Sequence, residues 1–166
     1  MTENIKVNPR QLARQLHTLL ECDIPALVVG APGAGKTQVA IQAAHNYGAS
    51  VRMMHAVSML PTDPRGLGTI AADRQSAVWL PYGDFLAMIN ATSPMAVIID
   101  DVGQAPVSIQ AALMQPVEAR RMNNWEISPY VRFILTTNRR EDRAGVQTVI
   151  EPLKGRCCIL ELENTL

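Results

Sequence analysis

The segment GAPGAGKT, residues 30–37, constrains this chain more than any other, because of what stands on either side of it. It follows the apolar run PALVVG (25–30) and opens the helix-forming run KTQVAIQAAHNYG (36–48), which Gly48 stops. The order is strand, glycine-rich turn, helix, and the segment fits the pattern G-x-x-x-x-G-K-[ST]. Gly33 and Gly35 permit backbone conformations that turn successive N–H groups inward, and the helix beginning near Lys36 adds its positive dipole end. This is a cradle for phosphate. Lys36 is placed to hold β- and γ-phosphates, and the Thr37 hydroxyl to coordinate magnesium. An ordinary strand-to-helix turn would leave Lys36 without a reason.

Four more apolar runs read as strands: VRMMHAV (51–57), MAVIID (95–100), VRFILT (131–136) and CCILEL (157–162). Helices are expected at the amino terminus, where Leu12, Leu16, Leu19 and Leu20 follow helical spacing behind Asn8 as cap and Pro9 in the first turn. Two more are expected over 84–90 and 107–121, the latter kinked by Pro116. SMLPTDPRGLG (58–68) is rich in Pro and Gly and reads as an ordered loop. Nearly continuous apolar strands alternating with helices imply a mainly parallel, five-stranded sheet covered on both faces, a three-layer α/β/α sandwich. At 166 residues and 48% hydrophobic, the chain has the size for one domain with a real core, so 1–166 is expected to be a single unit.

The run AVIIDDVGQAP (96–106) ends a buried strand at two adjacent carboxylates. Ligands of an open parallel sheet bind beyond the carboxyl ends of its strands. Spacing lets the third strand return beside the first, so that Asp100 and Asp101 face the phosphate cradle. Asp100 would then hold magnesium, mostly through water, and Asp101 would orient and activate an attacking water. VRFILTTN brings Thr137 and Asn138 to the same edge, where Asn138 positions the water or touches the γ-phosphate. Arg156, in EPLKGRC, precedes the last strand and so lies away from that edge. It makes sense as a charge supplied in trans to a neighbouring subunit's site.

Formal net charge is zero, which removes the strongest sequence argument for nucleic acid or an anionic membrane. Cys22, Cys157 and Cys158 lack metal or redox spacing and read as reduced, buried thiols, and His17, His45 and His55 show no ligand spacing. The first residues carry no signal-peptide core and no segment has the length of a membrane span, so the cytoplasm is the expected compartment and no membrane partner is expected. The Met residues at 53, 54, 59, 88, 95 and 114 read as core filler.

Taken in order, these elements resemble the P-loop NTPases of the AAA+ class. LPTDPRGLG, WLPYGDFL, QAALMQPVEARR and TTNRREDRAG are similar to the corresponding segments of MoxR-like AAA+ ATPases from bacteria and their phages. The resemblance implies ATP or ADP with Mg2+ held by Gly30, Ala31, Pro32, Gly33, Ala34, Gly35, Lys36, Thr37 and Gln38, with Thr37 and Asp100 at the metal. It implies catalysis by Asp101, Asn138 and Arg156, and a ring, usually a homo-hexamer, that remodels a protein partner; several relatives work with a von Willebrand factor A domain protein. Two departures stand out. The family's second carboxylate is usually Glu, and Asp101 is shorter by about 1.5 Å of reach. A misplacement of about 1 Å costs on the order of a hundredfold in rate, so hydrolysis is expected to be weak but measurable. The chain also stops just after the fifth strand, so the helical lid is expected to be absent. Alternatives left open are a nucleotide-gated binding module that needs a partner, and a DNA-associated loader argued only from Arg139, Arg140 and Arg143. Arg65 reads as equally suited to a turn or to a substrate contact.

Overall fold

The computed structural model describes residues 4–139, 142 and 148–163. Six parallel strands form the main sheet: β1 (Ile5–Val7), β2 (Ala26–Gly30), β3 (Ser50–His55), β6 (Met95–Asp100), β9 (Val131–Asn138) and β10 (Cys158–Leu162). Their order across the sheet is β1-β10-β2-β9-β6-β3. Five of the six are the expected strands. The sixth, β1, has three residues, too few for any period to show.

Each central strand alternates between two apolar layers. Ala96 and Ile98 of β6 pack into one layer and Val97 and Ile99 into the other, as Ala26 and Val28 of β2 oppose Leu27. Both faces are therefore dry, which is why the strands read as unbroken apolar runs. Helices α1 (Pro9–Glu21) and α2 (Lys36–Asn46) cover the first layer. Helices α3 (Gly83–Ile89), α4 (Val107–Glu118) and α5 (Glu151–Lys154) cover the second, supplying Phe85, Met88, Ile109, Leu113, Val117 and Leu153. α1 starts as its sequence dictates: Asn8 accepts from Gln11 N at 2.9 Å, Gln11 returns a side-chain bond to Asn8 N at 3.0 Å, and Pro9 fills the first turn.

Two hairpins stand outside the sheet. β4 (Leu67–Ile70) pairs with β5 (Ala77–Leu80), and β7 (Arg121–Met122) with β8 (Trp125–Glu126), both antiparallel. All eight residues of the first pair are exposed, so no inside–outside alternation marks them in the sequence. The second ends the 107–121 helix early: α4 stops at Glu118 because Arg120 adopts a left-handed φ of 54°, and Asn123 turns the hairpin at φ 51°. Arg65 is exposed in a turn closed by Arg65 N and Gly66 N on Thr62 O, at 3.1 and 2.7 Å. Of the thiols expected to be buried, Cys22 is exposed, and Cys157 and Cys158 are half-buried at the start of the edge-proximal β10. No helix among the described residues is long and apolar enough to cross a membrane.

Candidate functional site

The neighbours of β2 are β10 and β9, not β6, so the expectation that the third long strand returns beside the first is corrected: β9 intervenes. The acids nonetheless arrive at the right rim. All six strands are parallel, so their carboxyl ends share one edge, and Gly30 pairs with Asn138 while Ile99 pairs with Leu135. β9 carries its own polar groups into the gap between the cradle and Asp100.

The cradle is built as its glycines require. Gly33 and Gly35 sit at φ 74° and 83°, a region that L side chains rarely adopt, and Gly35 caps α2 without a side-chain bond. At Gly30 a Cβ would stand 3.2 Å from Leu162 Cβ and 3.3 Å from Lys36 Cδ, so the absent side chain makes room for the lysine stem. Pro32, Gly33, Gly35 and Gln38 are exposed, leaving the crest of the loop open, while Lys36 is 6% exposed.

Lys36 Nζ donates to Gly30 O at 3.1 Å, Ala31 O at 2.9 Å and Asn138 Oδ1 at 2.9 Å. Burial pulls its pKa below the ordinary lysine value, and the carboxylates of Asp101 and Asp100 push the other way. Asn138 also donates through Nδ2 to Asp101 Oδ1 at 3.3 Å. One amide thus links the cradle lysine to the second carboxylate. Asp101 itself adopts a left-handed backbone, φ 54° and ψ 39°, which Asp tolerates better than most residues.

Asp100 is fixed by hydroxyls. Thr37 Oγ1 donates to Asp100 Oδ1 at 2.8 Å, and Thr136 Oγ1 donates to the same oxygen. Thr136 Oγ1 in turn accepts from Asp101 N at 3.2 Å, so it holds both acids. His55, ending β3, brings Nδ1 within 3.8 Å of Asp100 Oδ2. A hydroxyl and a carboxylate meeting here are hard oxygen donors, the set that suits Mg2+.

The structure therefore brings together Lys36, Thr37, Asp100, Asp101 and Asn138. Arg156 stands apart at the amino ends of the strands, and Arg140 and Arg143 lie outside the described residues. Arg139 is ion-paired with Asp142 at 3.1 Å and with Glu161 at 3.9 Å. Thr136 and His55 are the residues that sequence reasoning missed. Strand alternation carried the signal for Thr136: counting back two from Asn138 reaches it, whereas Thr137 faces the other way and its hydroxyl, among the described residues, meets Asn138 O at 3.4 Å.

A family profile described as an AAA domain of the dynein-related subfamily matches residues 25–157, from the first residue of the cradle strand's lead-in to the cysteine before β10. The chain belongs to this AAA family. Members are typically nucleotide-binding ATPases, usually with Mg2+, and the fold is the P-loop AAA+ α/β sandwich. The Replication factor C small subunit of Thermofilum pendens (strain DSM 2475 / Hrk 5) is 30% identical over 139 residues, 82% of this chain and 36% of that protein. Among solved structures, the P216G mutant of Thermotoga maritima RuvB superposes with a TM-score of 0.64 at 15% identity, over 96% of this chain and 48% of that one. NtrX from Brucella abortus gives 0.57 at 16%, over 93% and 35%. The chain thus spans about a third of the curated relative's length and less than half of these structures.

Proposed function

We propose that this chain is the core of a MoxR-like AAA+ ATPase, which binds Mg-ATP at residues 30–38 and hydrolyses it between subunits of a ring to remodel or assemble a protein partner. The observation that carries the reading is the bonded path from Lys36 through Asn138 to Asp101, with Thr37 on Asp100 beside it.

Each group has a task in this reading. Lys36 exchanges its carbonyl partners for phosphate oxygens, which are stronger acceptors for an ammonium. Thr37 and Asp100 hold Mg2+, which neutralises charge on the phosphates when bound. Asp101 orients the attacking water and takes its proton, and Asn138 keeps that carboxylate at a fixed distance from Lys36. Arg156 of an adjacent copy supplies positive charge to the transition state.

A second reading, a nucleotide-gated binding module with little or no turnover, is favoured by Asp101, whose short side chain sits on a left-handed residue and is already engaged by Asn138. Steady-state ATP turnover of the full chain, beside Asp101→Asn, separates the two. Under the first reading the chain turns over slowly with Mg2+, and Asp101→Asn binds ATP equally well but is inactive. Turnover no greater than that of Asp101→Asn, with binding intact, establishes the second. A loader acting on DNA would be recognised by turnover that DNA stimulates and salt suppresses.

A further inference from the structure

The reading above uses Arg156 but not its partner, Glu118. Arg156 lies just ahead of β10, whose Cys158 pairs with Ala26 and whose Leu162 pairs with Gly30. About 13 Å of strand separates those two rows, so Arg156 stands at the far rim from its own cradle. Any phosphate that it meets belongs to another molecule.

Its guanidinium is held on a short tether. Nη1 donates to Pro152 O at 2.7 Å, and Nε lies 2.5 Å from Glu118 Oε2. Nε is buried against the Glu118 carboxylate, so the two form a close ion pair. Nη2 takes no partner among the described residues, and the Arg156 side chain is 34% exposed. Glu118 is the last residue of α4, and α4 begins shortly after the turn that carries Asp101. The position of Arg156 is therefore inherited from a helix whose other end is anchored beside the hydrolytic acid.

We infer that Glu118 is a positioning residue for Arg156: its carboxylate holds the guanidinium outward so that Nη2 is presented to the nucleotide of an adjacent copy. The inference rests on the trans role of Arg156. Glu118 touches no nucleotide itself, so its loss should slow the chemical step and leave ATP affinity alone. Neutralising it frees a long side chain to sample many rotamers, and a displacement of about 1 Å at a reacting centre is worth up to a hundredfold.

Mixing full-length variants tests this. Arg156→Ala subunits keep a complete cradle but offer no arginine, while Lys36→Ala subunits have a dead cradle but offer Arg156. Saturating Lys36→Ala donors should restore turnover to Arg156→Ala subunits. Donors carrying Lys36→Ala with Glu118→Gln should then give a kcat lower by about tenfold with KM for ATP unchanged, and Glu118→Asp donors, which retain the charge but stop about 1.5 Å short, should fall between the two. Equal rescue by Glu118→Gln donors, or a change confined to KM, overturns the inference while leaving the trans reading intact. No rescue by the Lys36→Ala donors themselves overturns the trans reading, and the inference with it.

Discussion

The two rims of the sheet handle charge in opposite ways. At the carboxyl rim, Lys36, Thr37, Asp100, Asp101, Thr136 and Asn138 are bonded largely to one another's side chains. At the amino rim, Arg120 donates to Ser128 O and Val131 O at 3.2 and 2.7 Å, and Arg132 donates to Leu20 O at 2.8 Å and Pro129 O at 2.6 Å. Asp23 sits between the two arginines at 3.5 and 3.4 Å, and the Arg120 guanidinium lies 5.4 Å over the Phe133 ring. Arg120 and Arg132 brace the carbonyls of the segments they join, whereas the bonds of the carboxyl rim converge on side chains that can turn to a ligand, Lys36 leaving the Gly30 and Ala31 carbonyls as it does so. The difference separates a rim built to hold from a rim built to be rearranged.

Substitutions should therefore dissociate stability from binding. Lys36→Ala should lower ATP affinity on the order of a hundredfold or more, measured by calorimetric titration, whatever stability it also loses by stranding the Gly30 and Ala31 carbonyls. Arg120→Ala should separate the two effects. It strands two carbonyls and removes a cation from an aromatic face, costing about 3 kcal/mol in denaturant unfolding, with ATP affinity unchanged. If Arg120→Ala weakens ATP binding as much as it destabilises the chain, the two rims are not separable.

Thr136→Val sharpens the comparison within the carboxyl rim. Removing one hydroxyl takes one partner from each acid, so Mg2+ dependence of nucleotide binding should shift by about tenfold towards higher metal concentration, while metal-free affinity stays the same. The smallest effect belongs to Asn8→Ala, which breaks the α1 capping box far from either rim and should cost about 1 kcal/mol of stability with no change in binding.

Much of the carboxyl rim was legible in the sequence because its signals are local. GAPGAGKT needs only its neighbours to be understood, and VRFILTTN and AVIIDD each end a buried strand in polar groups. What the sequence hid depends on distant pairing. That β9 stands between β2 and β6 follows from crossovers that no local pattern records, and with it came the role of Thr136, which reads as one more residue of a buried strand until Asp100 is beside it. β1 was too short to show a period, and β4 and β5 expose both faces, so neither carries alternation. Glu118 carries no local signal in the sequence, because its partner is 38 residues further on.

The most direct test is a structure of the full chain with Mg2+ and a non-hydrolysable ATP analogue. The account predicts the β- and γ-phosphates within hydrogen-bond distance of Lys36 Nζ and of the amides between Gly33 and Thr37, with the metal beside Thr37 Oγ1 and on the Asp100 side of the phosphates. A triphosphate seated elsewhere, or a metal bound away from Asp100, would contradict it.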